Sequence, residues 1–373
     1  MKILHVAQPT TEGVARCVAD LVVRQKARGW DVSVASPVAG DLRRWVIEAG
    51  ATHLDWEAGR NPGRSTRRET GALGRLVERA DPDIAHLHSS KAGLAGRLAI
   101  RRRLPTVFQP HAWSFAAVTG PTRAAALLWE RIGARWADVI VCVSRSELEE
   151  GERRSIKANW GLAPNGVDLE LWPPPHESTR DRARLHLALG GGALVVCVGR
   201  LSKQKGQDVL LAAWPRVLEA LPDARLVLIG EGPEVESLRA HAARGVSFAG
   251  LRRDVPEWIR AADVVALPSR WEGMALTMIE GMAAGRSVVA TDVAGAREAL
   301  DRGAGAVVPV EDPGALAAAL LERLRDPELA AREGTEGRRR VEELYNLEMV
   351  EHNIMRAYEA ALSRHRRPKP RPR

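Results

Sequence analysis

The sequence has only three cysteines among its 373 residues: Cys17, Cys142 and Cys197. They lie far apart within apolar helix or strand patterns, so they indicate neither a disulfide framework nor a cysteine metal site, and we interpret them as small core residues. Long apolar runs are also missing. No stretch reaches the ~20 residues that a membrane-spanning helix needs, and the apolar start at 2–7 is too short for a secretory signal. We therefore expect a cytoplasmic protein.

Aromatic residues are scarce as well, at 4%, whereas hydrophobic residues together make up 45% of the chain. A composition dominated by Leu, Val and Ala is typical of a globular enzyme and argues against a disordered chain. The net charge of +8 indicates attraction to anions, which could be nucleotides, anionic lipid headgroups or nucleic acid. Charge alone does not choose among them.

Short apolar strands alternate with helical patterns along the first half of the chain. We predict strands at 2–7, 31–36, 51–56, 83–88, 106–110 and 138–144, and helices at 14–28, 41–49, 60–79, 91–103 and 124–136. This alternation predicts a parallel sheet covered on both faces, the doubly wound α/β class.

The alternation stops after residue 144, and Pro and Gly clusters between 162 and 192 indicate an irregular domain boundary. A second series of strands follows, at 193–198, 225–230, 246–250, 263–268, 287–291 and 305–310. We predict an N-terminal domain at 1–165 and a C-terminal domain at 166–346. A last helix, at about 347–363, should pack back on the first domain, and 364–373 should be a disordered basic tail.

Two carboxylates stand eight residues apart, at Glu272 and Glu280. A helix that began just after Glu272 would leave both near one side, where they could accept hydrogen bonds from sugar hydroxyls. Gly273 would let backbone approach a ligand closely, and the amides that follow, at the helix start, would favour phosphate. Spacing alone favours two ordinary surface residues.

Two further stretches carry candidate chemistry. Arg200 and Lys205 follow a predicted strand and precede a helix, so they could reach a diphosphate, although base rates favour a solvated basic loop. His111 lies at the end of a predicted strand, where most isolated histidines are structural. We interpret His86 and His88 as structural, because no acidic or cysteine ligand is near them. The loops at 8–13 and 230–233 lack the glycines of a dinucleotide fingerprint, so NAD binding is not expected.

The run EGMALTMIEGMAAGRSVVATDVAGARE, at 272–298, closely resembles the E-x7-E segment of retaining glycosyltransferases of family four. The run VGRLSKQKG, at 198–206, matches the same family. The resemblance covers Met1 to about Tyr358 and is strongest in the second domain. It implies the GT-B fold, in which two doubly wound, Rossmann-like domains face a central cleft.

The resemblance also implies roles for individual residues. Glu280 would hold the donor ribose, and Glu272 with the following amides would hold sugar hydroxyls and phosphate. Arg200 and Lys205 would stabilise the departing diphosphate, and His111 would orient the sugar. We assign catalysis to His111, Arg200, Lys205 and Glu272. We assign donor binding to Gly13, Arg200, Lys205, Leu251, Glu272, Gly273, Met274, Ala275 and Glu280. In the family the loop at Gly13 usually has paired glycines, and here Glu12 stands in place of one of them.

The implied function is a hexosyltransferase that retains the anomeric configuration and needs no metal or other cofactor. Its donor would be a nucleoside diphosphate sugar, with UDP the nucleotide chosen from its frequency in the family. Its acceptor would be a saccharide or a lipid-linked saccharide. The alternatives are a sugar-nucleotide 2-epimerase of the same fold and a basic nucleic-acid-binding protein; the scattered arginines and the lack of an aromatic-rich strand argue against the second.

Contact with an anionic membrane at its inner face is a further expectation. A basic and partly aromatic face of the first domain could provide it. An arginine-rich solvated surface is an equally good interpretation. The residues concerned are Arg60, Arg64, Arg67, Arg68, Arg101, Arg102, Arg103, Trp113, Phe115 and Trp129.

Overall fold

The computed structural model describes residues 1–174 and 177–365. Contacts divide the chain into two compact units: Met1–Pro164 together with the chain from Leu347 onward, and Asn165–Asn346. Of the predicted basic tail, residues 366–373 lie outside the described residues. Residues 364 and 365 belong to the last helix, which ends two residues later than predicted.

Thirteen strands are found within the described ranges. They are β1 Lys2–Ala7, β2 Asp31–Ser36, β3 Thr52–Asp55, β4 Ile84–His88, β5 Thr106–Gln109, β6 Val139–Cys142, β7 Trp160–Leu162, β8 Leu194–Val198, β9 Arg225–Ile229, β10 Val246–Gly250, β11 Val264–Leu267, β12 Ser287–Thr291 and β13 Ala306–Val308.

Fifteen α-helices separate or follow these strands in the part of the chain that is described. They are α1 Glu12–Ala27, α2 Leu42–Glu48, α3 Thr66–Ala80, α4 Ser89–Ile100, α5 Gly120–Gly133, α6 Arg145–Arg153, α7 Glu177–His186, α8 Gln207–Ala220, α9 Val235–Ala240, α10 Val255–Ala261, α11 Leu276–Ala283, α12 Ala296–Ala299, α13 Pro313–Arg325, α14 Pro327–Leu344 and α15 Leu347–His365.

Each unit contains one parallel sheet. The strand order is β3-β2-β1-β4-β5-β6-β7 in the first and β10-β9-β8-β11-β12-β13 in the second. Strands such as β4, β6 and β12 are buried along their whole length, because helices cover both faces of such a sheet and leave no polar side. The predicted doubly wound class is confirmed.

Helix α15 completes the first unit, although it comes last in the chain. Ile354 and Tyr358 pack with strand residues such as Ile84 in one buried cluster. Arg24 of α1 and Arg28, directly after that helix, both donate to the carboxylate of Glu351 on α15. The last helix therefore covers one face of the first sheet.

Helix α7 occupies part of the stretch that we predicted to be irregular. Arg180 and Arg184 donate to Asp263, just before β11, at 3.0 and 2.7 Å. Ala183 is buried, whereas Leu185 is 81% exposed. Ion pairs attach α7 to the domain more than an apolar stripe does. The sequence of α7 therefore lacks the hydrophobic periodicity from which a helix is predicted.

Two of the three aromatic residues of the predicted membrane face are buried. Trp113 and Phe115 are 4% and 2% exposed, and the Trp113 indole donates to the carbonyl of Glu147. Buried rings cannot contact a bilayer, so the exposed arginines and the partly exposed Trp129 are what remains of that face. No helix within residues 1–174 and 177–365 is long and apolar enough to cross a membrane.

Candidate functional site

The residues that the sequence singled out in the second unit lie where parallel strands end. Arg200 follows β8, and Glu272 follows β11. Strands β8 and β11 are neighbours. The strand that follows β8 in the chain lies towards one edge of the sheet, and the strand that follows β11 lies towards the other edge. This is the topological switch point, beside which open α/β sheets bind their ligands.

Lys205 and Glu272 meet directly at this edge. The Lys205 ammonium donates to Oε1 of Glu272 at 2.6 Å, and the Ser269 hydroxyl donates to the same oxygen at 2.8 Å. The side chain of Glu272 is 9% exposed and that of Lys205 is 23% exposed. Among the described residues, no hydrogen bond reaches Oε2 of Glu272. One carboxylate oxygen is therefore held in place, while the other can accept a bond from a ligand hydroxyl.

Gly206 sets how closely the two loops approach. It has φ +65°, and a Cβ there would lie 2.0 Å from the carbonyl oxygen of Pro268 at the end of β11. The Gln204 side chain adds a hydrogen bond to the Trp271 carbonyl at 3.1 Å. Loop contacts therefore hold Lys205 at Glu272, and only glycine fits at position 206 without displacement.

From their spacing, we predicted that the two carboxylates lie near one side of a helix that begins just after Glu272. They do not share a helix. Helix α11 begins at Leu276, so Glu272 lies in the loop before it and Glu280 lies within it. The loop stays extended at its end because Ala275 is in the β region, at φ −71° and ψ 124°. The prediction assumed a helix directly after Glu272, and the spacing argument therefore fails.

Asn165 supports the amide loop and is a site residue that the sequence analysis missed. Its side-chain amide donates to the carbonyl of Met274 at 2.8 Å, and it is 8% exposed. Gly273, Met274 and Ala275 are themselves buried. Asn165 stands in a Pro- and Gly-rich stretch that we interpreted as an irregular domain boundary, and no local pattern in the sequence singled it out.

Not every assigned residue joins this group. Leu251 follows β10 and is 75% exposed, and no contact described for it reaches Arg200 or Glu272. Gly13 lies in the first turn of α1, in the other unit. Its neighbour Glu12 has φ +63°, a left-handed conformation that favours glycine. Glu12 thus has the left-handed backbone conformation that a glycine would adopt there.

The first unit contains a row of histidines that the sequence did not bring together. Nδ1 of His5 lies 3.0 Å from Nε2 of His88, and Nδ1 of His88 lies 3.2 Å from Nε2 of His111. At the other end, Nε2 of His5 lies 2.8 Å from Oε1 of Gln25 on α1. His5 and His88 are buried, whereas His111 is partly exposed. The predicted site residue His111 is therefore the outer member of a buried cluster.

His86 stands beside this row, opposite His5 in the register of β1 and β4. Its Nδ1 lies 2.9 Å from the hydroxyl of Tyr358, and its Nε2 has no hydrogen-bond partner among the described residues. One nitrogen from each of His5, His86 and His88 lies within 4.8 Å of the others. By distance alone, the three rings are a candidate metal cluster.

His111 also has a strained backbone. Its φ is +58°, and Ala112 after it has φ +151°. Such conformations cost on the order of 1–3 kcal/mol each and concentrate at functional sites. This strain supports the assignment of His111 to a site at the end of β5.

Burial of the histidines predicts acid sensitivity. Desolvation lowers the pKa of His5 to about 4 and that of His86 and His88 well below their usual value. Since an unfolded histidine titrates near 6.5, the unfolded state binds more protons below that pH. We expect the free energy of unfolding to fall as pH drops from 6.5 to 4, by up to about 1.4 kcal/mol per pH unit for each histidine.

Urea unfolding between pH 7.5 and 4.5 measures this slope. His5→Asn should flatten it, whereas His241→Asn, at an exposed position, should leave it unchanged. An equal slope in wild type and His5→Asn would contradict the prediction.

Cations and a carboxylate at the switch point of a doubly wound sheet are groups that could bind an anionic ligand with hydroxyls. Comparison with known proteins agrees with this class. The family described as "Glycosyltransferase Family 4" matches residues 11–171, and that described as "Glycosyl transferases group 1" matches residues 192–326.

Individual relatives extend the match over nearly the whole chain. The phosphatidyl-myo-inositol mannosyltransferase of Mycobacterium leprae is 30% identical over 363 residues, which are 93% of this chain and 92% of that protein. The GDP-mannose-dependent monoacylated alpha-(1-6)-phosphatidylinositol monomannoside mannosyltransferase of Corynebacterium glutamicum is 33% identical over 232 residues. That second match spans 57% of this chain and 60% of the relative. The chain belongs to glycosyltransferase family 4, and the predicted family and enzyme class are confirmed.

A solved structure shows the same fold. The crystal structure of Anabaena HepE in complex with UDP and glucose has a TM-score of 0.83 to this chain at 20% identity. The match covers 96% of this chain and 100% of the HepE chain. The predicted GT-B fold is confirmed.

Proposed function

We propose that this protein transfers a hexose from a nucleoside diphosphate sugar to a saccharide or lipid-linked saccharide, with retention of configuration and without a metal ion. The observation that carries the proposal is the contact of Lys205 with Glu272 beside the switch point, next to the loop of Arg200. It places a fixed cation and a hydroxyl acceptor side by side, as a sugar joined to a diphosphate requires.

The chemistry follows from charge. Breaking the bond between the anomeric carbon and the phosphate oxygen leaves an oxocarbenium-like sugar and a diphosphate whose negative charge grows. Arg200 and Lys205 stabilise that charge, because fixed donors aimed at developing charge lower the barrier. Glu272 accepts hydrogen bonds from the sugar, and Glu280 holds the ribose. The acceptor attacks from the face that the diphosphate leaves, and a phosphate oxygen takes its proton.

The nucleotide remains a prediction. We predicted UDP, whereas the Corynebacterium glutamicum relative is named for GDP-mannose. A thermal-shift screen with UDP-, GDP- and dTDP-sugars separates these donors, because a ligand that binds only the folded state raises the melting temperature.

We expect one nucleotide family to raise the melting temperature of the wild type. At a ligand concentration a hundredfold above Kd, the free energy of unfolding should increase by about 2.7 kcal/mol. Glu280→Ala should lose this shift, while Glu219→Ala, at an exposed position on helix α8, should keep it. The same measurement with EDTA tests whether donor binding needs a metal. No shift with any donor, or an equal shift in Glu280→Ala, would contradict the assigned donor site.

The acceptor is proposed from the relatives, since both mannosyltransferases are named for phosphatidylinositol acceptors. We propose a lipid-linked acceptor reached from the cytoplasmic face of a membrane. A soluble saccharide that is used as fast as a lipid-linked one, with no lipid present, would argue against the lipid-linked acceptor. Consumption of donor without any acceptor, with the sugar changed at C2, would indicate the epimerase alternative.

A further inference from the structure

The buried histidines form a chain of edge-to-edge contacts. The rings of His5 and His88 have centres 5.2 Å apart and facing nitrogens 3.0 Å apart; for His88 and His111 these distances are 5.5 and 3.2 Å. The ring planes are tilted by 27° and 28°. Centres so much farther apart than the facing nitrogens mean that the rings point at each other through their edges. This is the geometry of N–H···N hydrogen bonds.

A neutral imidazole has one N–H donor and one acceptor nitrogen. Burial lowers the pKa of His5, His88 and His111, so all three are neutral near pH 7. A neutral ring that donates through one nitrogen must accept through the other. In a row of such rings, the nitrogen that carries the proton in the first ring therefore determines the tautomer of every later ring.

We propose that Gln25 fixes the tautomer of His111 through His5 and His88. The Gln25 oxygen accepts from Nε2 of His5, Nδ1 of His5 accepts from Nε2 of His88, and Nδ1 of His88 accepts from Nε2 of His111. Nδ1 of His111 is left with a lone pair. Given the proposed function, on which this step rests, His111 accepts a hydrogen bond from a hydroxyl of the transferred sugar, and Gln25, His5 and His88 are positioning residues.

The amide nitrogen of Gln25 has a hydrogen-bond partner of its own. Its Nε2 lies 3.2 Å from the Tyr358 hydroxyl, to which it donates, and that hydroxyl lies 2.9 Å from Nδ1 of His86, to which it can donate in turn. Gln25 is 2% exposed, so water does not compete for its amide. A reversed amide would reverse every bond in the row and make Nδ1 of His111 a donor.

A metal ion bound by His5, His86 and His88 is the competing occupant of this cluster. Ligand nitrogens must point at the metal in the planes of their rings. Instead, His5 and His88 point at each other within hydrogen-bond distance, and the ring of His86 lies over that of His88 with centres 4.0 Å apart and planes tilted by 34°. The hydrogen-bonded row fits these rings better than a metal does.

The tautomers are measured directly by ¹⁵N NMR of histidine-labelled full-length protein, because protonated and unprotonated ring nitrogens resonate far apart. His→Asn variants assign the signals. We expect His5, His88 and His111 all to carry their proton on Nε2. A protonated Nδ1 at His111 would overturn the proposal, and so would zinc retained in stoichiometric amount with shifted signals of His5, His86 and His88.

Two variants of Gln25 test its control of the row. Gln25→Met removes the acceptor, and His111 should then show a mixture of tautomers and at least about tenfold lower kcat, since a wrong histidine tautomer costs orders of magnitude. Gln25→Glu keeps an oxygen beside His5 and should retain both the tautomer and most of kcat. An unchanged His111 tautomer in Gln25→Met would overturn the proposal.

The readouts separate this proposal from the proposed function. The wild-type spectrum, once its histidine signals are assigned, needs no donor and no acceptor to decide the direction of the row. Failure of the donor screen would leave that spectrum intact, and a reversed row would leave donor binding at Glu280 intact.

Discussion

Lys205→Met is expected to lower kcat by about 10²–10³-fold, which is the usual effect of removing one fixed donor from a developing negative charge. The methionine keeps most of the length of the side chain but has no ammonium to meet the departing diphosphate. Release of nucleoside diphosphate, from whichever donor the thermal screen identifies, measures the change. KM should rise less than kcat falls, because the stabilised charge grows in the transition state.

Lys203→Met is the matched control, since Lys203 is an exposed lysine two residues away in the same loop. It should retain wild-type turnover. Lys205 also contacts Glu272, so melting temperatures must show that the variant is folded. Turnover of Lys205→Met within about threefold of the wild type would remove Lys205 from the proposed mechanism.

Glu130→Gln is expected to cost about 3–5 kcal/mol of unfolding free energy, as breaking a buried ion pair usually does. The side chains of Arg97 and Glu130 are 0% and 1% exposed, and their contact is 2.8 Å. The substitution leaves the Arg97 guanidinium buried without its counter-charge. Urea unfolding at pH 7.5 measures the loss.

Two comparisons make this measurement specific. Glu78→Gln breaks an exposed pair with Arg103 at 3.5 Å and should change stability by less than about 0.5 kcal/mol. The double variant Arg97→Met with Glu130→Leu should recover much of the loss, because apolar replacements leave no buried charge. A Glu130→Gln variant as stable as Glu78→Gln would show that the pair contributes little.

The same pair also contacts the loop that contains His111. The second carboxylate oxygen of Glu130 accepts from the Ser114 hydroxyl at 2.8 Å, three residues after His111. A folded Glu130→Gln variant should therefore lose activity as well as stability. Helices α4 and α5 thus help to hold the loop that follows β5.

The sequence determined the architecture because strand and helix periods are local properties. The alternation of short apolar runs with helical patterns gave two parallel sheets, with β1, β2, β10 and β12 at the predicted bounds. The residues that follow β8 and β11 could be found in the same way, since in a parallel sheet the strand ends share one edge. Helix α7 was missed because its charged residues carry no apolar period.

Only the tertiary structure decided which side chains meet. The pairing of Lys205 with Glu272 joins residues 67 positions apart, and the contact of His5 with His88 joins residues 83 positions apart. Such contacts depend on strand order and register, which no local period encodes. For the same reason Glu272 and Glu280, close in sequence, proved to lie in different elements, while Gln25 and Tyr358, at opposite ends of the chain, share a hydrogen bond.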